Sequence, residues 1–155
     1  MTRRSIVLLI AVVLLALVSI SAAQELPLQY AVKFVCGKTD KPVGVAPGSY
    51  FTLVNVHNPG RETAVFLKKF AVAFPEQKPG PVTELIKAAL KPDNAFSVEC
   101  HEIMERTHSS SFVEGFMVIE SRTELDVVGV YTTVGASGGQ IQTMEIERVP
   151  VRKVP

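Results

Sequence analysis

The chain has 155 residues, 16 basic against 15 acidic side chains, and 47% hydrophobic residues, which suits a leader plus one domain with a real core. Charge this close to balance, with no basic cluster denser than Lys68-Lys69 or Arg152-Lys153, lacks the electrostatic footprint of a nucleic-acid binder. It excludes a polybasic membrane patch as well.

The first element is an export address. Arg3 and Arg4 supply a positive start, Ile6 through Ile20 an uncharged run of Leu, Val and Ile, and Ser21-Ala22-Ala23 a small-residue cleavage motif before Gln24. The apolar run falls short of the roughly 20 residues of a comfortable bilayer crossing. Residues 1–23 therefore read as a signal peptide with a signal helix, and residues 24–155 as a single domain, periplasmic or extracellular, that meets a membrane only through its leader. Thr2-Arg3-Arg4-Ser5-Ile6 has the look of a twin-arginine signal, but the core behind it is too apolar for that reading. No Cys follows the small residues, so no lipoprotein anchor is indicated. Removal of 23 residues from 155 leaves 132, and loss of Arg3 and Arg4 takes the 16 basic residues to 14 against 15 acidic.

Short apolar runs rich in Val, Phe, Tyr and Thr follow, cut by Gly, Pro, Asn and Asp, which is β punctuation. Strands are predicted over residues 30–36, 49–56, 63–73, 94–103, 112–120, 125–133 and 140–148. The breakers are Lys41-Pro42-Val43-Gly44 with Pro47-Gly48, Asn58-Pro59-Gly60, residues 75–81, Lys91-Pro92-Asp93-Asn94, and residues 135–139. Val82, Leu85, Ile86, Ala89 and Leu90 fall at helical spacing between Pro81 and Pro92. Nine residues make a marginal helix alone, and Lys91 to Asn94 suits a hairpin turn, so the segment leans to strand. Residues 112–120 and 125–133 are apolar on both faces and closely spaced, which predicts a central hairpin with Phe116, Val118, Val127 and Tyr131 in the core.

In an exported chain two cysteines can form one disulfide. Strand alternation puts Tyr30, Val32, Phe34 and Cys36 on one face, and Phe96, Val98 and Cys100 on one face, so both cysteines are expected in the core and bridged. The fold class that follows is all-β: an antiparallel two-sheet sandwich, immunoglobulin-like or related, of seven to eight strands.

Phe112-Val113-Glu114-Gly115-Phe116-Met117-Val118-Ile119-Glu120-Ser121 and Leu125-Asp126-Val127-Val128-Gly129-Val130-Tyr131-Thr132-Thr133, with Val54-Asn55-Val56-His57-Asn58-Pro59 and Leu90-Lys91-Pro92-Asp93, resemble a group of uncharacterised exported bacterial β-sandwich proteins. The strand order is also similar to the sensory rhodopsin transducer sandwich. That family is soluble and cytoplasmic whereas this chain has an export address, so the resemblance implies fold and no signalling role.

Chemistry concentrates at His101-Glu102-Ile103-Met104-Glu105-Arg106-Thr107-His108. A zinc-protease helix needs His at i and i+4, and position 105 is Glu. As a strand end and loop, His101, Glu102, Glu105 and His108 are the candidate metal ligands, against a plainly solvated cluster. No serine sits in G-x-S-x-G, although His57 with Asp126 and a serine is a conceivable distant triad. Gly135-Ala136-Ser137-Gly138-Gly139 lacks the Lys-Ser/Thr and helix of a phosphate loop. No cofactor is implied.

Two functions stand. The first is an exported non-enzymatic module that binds a protein, matrix or small ligand through loops or a sheet edge, with self-association left open. The second is a secreted hydrolase or metal-dependent enzyme on the His101 to His108 cluster.

Overall fold

The structure, a computed structural model, describes residues 26–42, 44–75, 77–136 and 141–154. The signal peptide expected over residues 1–23, Ser137-Gly138-Gly139 of the last breaker and Val43 of the first lie outside the described residues.

In β1, Leu28–Thr39, the side chains of Tyr30, Val32, Phe34 and Cys36 are buried and those between them are not, as the alternation in the sequence requires. The same period buries Val54 and Val56 in β2 (Gly48–His57) and Ala64, Phe66, Phe70 and Val72 in β3 (Ala64–Ala73). Short strands follow: β4 (Pro79–Val82), β5 (Ile86–Leu90) and β6 (Ala95–Glu99). A helix, α1 (Cys100–Arg106), precedes β7 (Phe112–Ser121), β8 (Asp126–Gly135), β9 (Ile141–Arg148) and β10 (Arg152–Lys153).

Every strand pair is antiparallel, and the order is β4-β3-β7-β1-β2-β8-β9. Off this path β5 pairs β3, β6 pairs β2 and β10 pairs β1. β1 pairs β7 along Leu28 to Gly37 but meets β2 at only three positions, Gly37↔Tyr50, Lys38↔Ser49 and Thr39↔Gly48. Gly37 has a φ of +98°, and a Cβ there would overlap the Ser111 carbonyl oxygen, so only glycine fits this corner. Side chains far apart along the path meet in one core: Phe66 of β3 stacks on Phe96 of β6 with ring centroids 5.8 Å apart. Asn58, buried after β2, donates through Nδ2 to the carbonyls of Leu90 (3.0 Å) and Glu62 (2.8 Å).

Four expectations are corrected. The described residues form ten strands, not seven or eight, because β4, β5 and β10 are short and carry little period. Residues 112–120 and 125–133 do not pair as a hairpin. β7 lies between β1 and β3, and β8 between β2 and β9, since an apolar pattern on both faces names no partner. In β7 the buried set is Val113, Gly115, Met117, Ile119 and Ser121, which leaves Phe116 42% exposed and Val118 half-buried. Tyr131 is likewise half-buried. Finally, the strand predicted to reach residue 103 stops at Glu99 and gives way to α1. The segment at residues 82–90 is extended, split into β4 and β5 around residues 83–85. Pro92 and Asp93, with φ 55° at Asp93 and an Asn94 N–H to Lys91 carbonyl bond of 3.1 Å, then make the turn into β6.

Candidate functional site

α1 is a seven-residue helix that propensity alone would not hold. Cys100, Ile103 and Met104 recur at i, i+3 and i+4; Ile103 is fully buried and the other two pack against the core. The Cys36–Cys100 disulfide ties its first residue to β1 across 64 positions of sequence, and the Thr52 amide of β2 donates to Cys100 Sγ at 3.0 Å. Lys68 falls on the buried phase of β3, where a lone ammonium would be costly. It is paired: Nζ lies 2.6 Å from Glu102 Oε1 and 5.2 Å from the Phe96 ring centroid.

The helix ends in a Schellman arrangement. The His108 N–H bonds the Glu105 carbonyl (3.2 Å) and the Ser109 N–H the Met104 carbonyl (2.9 Å), with His108 in the left-handed region at φ 53°. That reversal sets Glu105, Arg106 and His108 along one wall of a groove of about 560 Å³. The opposite wall is the connection between β4 and β5. There Thr83 fills the gap in the ladder, its N–H donating to the Phe70 carbonyl (2.9 Å) and its Oγ1 accepting from the Phe70 N–H (3.0 Å). With Thr83 turned to β3, Val82 (59% exposed) and Leu85 (51% exposed) stand free on the groove. Its lining is thus apolar at Val72, Val82, Leu85 and Ile86 and charged at Glu84, Glu105 and Arg106.

Of the candidate metal ligands, the structure brings only Glu105 and His108 to this groove. His101 is exposed on the helix, and Glu102 turns to Lys68. Among the described residues no group of three or more His, Cys, Asp or Glu side chains is placed to hold a metal.

No protein-family model matches the chain, and no curated protein matches it. The fold does have a solved counterpart. The crystal structure of Thermotoga maritima 1070 is similar with a TM-score of 0.51 and 12% identity, over 82% of this chain and 95% of that one. At that identity the likeness speaks to fold alone.

A second polar cluster lies where β2 meets β8. His57 Nδ1 is 3.2 Å from Asp126 Oδ2, as their cross-strand register allows, and Arg148 Nη2 is 2.7 Å from Oδ1. The sequence suggested the His57 and Asp126 pair. The partner that completes the cluster is Arg148, brought there by the Val128↔Arg148 register. Beside it a recess of about 420 Å³ is lined by Tyr30, Leu125 and Val149. Tyr30 Oη accepts the Leu125 N–H at 2.8 Å, and burial raises its pKa above the ordinary tyrosine value.

Sequence reasoning missed Lys68, whose charge sits in an otherwise apolar alternation and signalled a buried partner. It also missed the helical spacing of Cys100, Ile103, Met104 and Thr107, which competes at Cys100 with the strand spacing of Phe96 and Val98.

Proposed function

We propose that this chain is an exported, non-enzymatic binding module whose groove between α1 and the β4–β5 connection takes a protein or envelope ligand. The observation that carries the reading is the pair Val82 and Leu85, 59% and 51% exposed on the wall of a groove whose rim bears charge. Exposed apolar side chains gathered in a concave site favour an apolar group of a partner, and a charged rim sets its orientation. The export address and a disulfide that suits an oxidising compartment support a periplasmic or extracellular location.

The framework under the groove is a two-layer sandwich on this reading. One layer is β4 and β5 with β3, β7, β1 and β10, the other β6, β2, β8 and β9. The three-position contact of β1 with β2 is the corner between them, and the Phe66–Phe96 stack and the disulfide span the interior. This layering agrees with the resemblance to exported bacterial sandwich proteins.

Affinity capture from the native envelope, with wild type beside Val82→Glu/Leu85→Glu, tests the function. A partner captured by wild type and by His101→Ala, and lost with the double substitution, is the expected result. Tight stoichiometric metal that survives dialysis and departs with His101, Glu102, Glu105 or His108 would overturn it in favour of a secreted metal-dependent hydrolase.

A further inference from the structure

We propose a second, separate binding surface: the open edge of β9, which accepts an extended peptide segment alternating apolar and basic residues. β9 ends the strand path opposite β4, and among the described residues it pairs with β8 alone. An unpaired edge offers a row of backbone donors and acceptors to another strand, and proteins that do not use such edges block them with Pro, Lys or inward charges. Ile141–Arg148 contains neither Pro nor Lys, and the charges on its inward face, Glu145 and Glu147 opposite Tyr131 and Gly129, are both acidic, so they turn away an acidic strand and admit a basic one. Instead it presents Ile141, Met144 and Ile146, exposed at 65%, 65% and 64%.

Register places these three on one face. Ile146 lies opposite Val130, Met144 opposite Thr132, and, after a one-residue bulge, Ile141 opposite Val134. Val130 and Thr132 lie in turn opposite Leu53 and Phe51 of β2, and Phe51 is 51% exposed. The buried side chains of β2 and β8 face the other way, so an apolar stripe three strands wide crosses the outer surface and stops at the open edge. A strand added there would continue the stripe with its own apolar side chains.

The opposite face of the same edge carries Glu145 and Glu147. Glu147 accepts from the Tyr131 hydroxyl at 3.1 Å, a neutral donor, and among the described residues no cation is paired with it. This charge selects the occupant. A second copy docked through β9 would gather four carboxylates on one face of the new seam, and like charges across strands are destabilising. A segment with Lys or Arg at alternate positions would place cations there while its apolar residues meet Met144 and Ile146.

The test uses the purified protein and two fluorescently labelled eight-residue probes, alternating Val with Lys and Val with Glu. Anisotropy is expected to show the Val/Lys probe bound and weakened by salt. Glu145→Lys/Glu147→Lys should weaken it about tenfold, the effect of turning two cross-strand attractions into repulsions, and should transfer preference to the Val/Glu probe. Amide hydrogen exchange on wild type, independent of any variant's folding, should show new protection in β9 and none along α1. Equal binding of both probes, no binding at millimolar concentration, or protection at α1 alone would each overturn the proposal. So would sedimentation showing a dimer that Met144→Lys dissociates, because the edge would then belong to a second copy. Loss of the α1 groove reading by envelope capture leaves this proposal standing, since the two surfaces share no residue.

Discussion

Phe116 and Met117 are neighbours in β7 with opposite fates. Met117 is fully buried, while Phe116 lies on the outer face, 42% exposed, with Lys33 Nζ 5.5 Å from its ring centroid. Truncating the aromatic therefore removes only partial burial and an exposed cation–π contact, about 1 kcal/mol. Met117→Ala leaves a hole in a close-packed core and is expected to cost about 2–5 kcal/mol. Urea unfolding of the two variants checks the difference, and a larger loss for Phe116→Ala would reverse the phase assigned to β7. Tyr131 makes a pH prediction at this scale. Burial first, then the adjacent Glu147, holds its pKa well above the ordinary tyrosine value of about 10. The folded chain keeps this proton at a pH where the unfolded chain has released it, so the stability it contributes is intact below about pH 10 and falls as pH rises beyond. Tyr131→Phe should flatten that alkaline decline in stability measured by denaturant midpoints between pH 8 and 11.

α1 shows how an element can depend on a few long-range contacts. Its charged anchor is asymmetric: the Lys68 side chain is 8% exposed and that of Glu102 33%. Glu102→Gln strands the more buried charge and is expected to cost about 3–5 kcal/mol. Lys68→Met frees a carboxylate that still reaches water, and its cost should be nearer 1–3 kcal/mol. The double variant Lys68→Met/Glu102→Leu should be less damaged than the sum of the singles, with a coupling of about 1 kcal/mol or more. Additive losses in chemical denaturation would show that the two side chains do not act as a pair. The groove wall is built on this same helix, so the anchor bears on binding as well as on stability.

At the scale of the whole molecule the covalent constraint is the Cys36–Cys100 bridge, which closes a loop of sequence separation 64. In the chain-entropy account such a loop is worth about 4 kcal/mol. Cys36→Ala/Cys100→Ala should lose a comparable amount of unfolding free energy in denaturant titrations, with a steeper slope because the unlinked chain unfolds to a more expanded state. A double variant as stable as wild type would mean that the core alone holds β1 to α1. Because the bridge starts α1, its loss should also loosen the wall formed by Glu105 and His108, and amide exchange in α1 would rise before that of β1.

What the sequence by itself determined is whatever depends on near neighbours. Alternation in Tyr30, Val32, Phe34 and Cys36 assigned the inner face of β1. Pro, Gly and Asn marked the breaks between strands, because φ preferences are local. The two cysteines could be paired from phase and count. Tertiary structure decided the rest. In Phe112–Ser121 the charges Glu114 and Glu120 share a face with Phe116 and mark it as the outer one, a local sign that the aromatic residues masked, but nothing local chose that β1 and β3, rather than β8, flank the strand. At Cys100 the strand and helix periods overlap, and a seven-residue helix wins only because Ile103, the disulfide and Lys68 reward it from other elements. The groove itself was illegible, for its walls lie on β4–β5 and α1, which no local pattern places side by side.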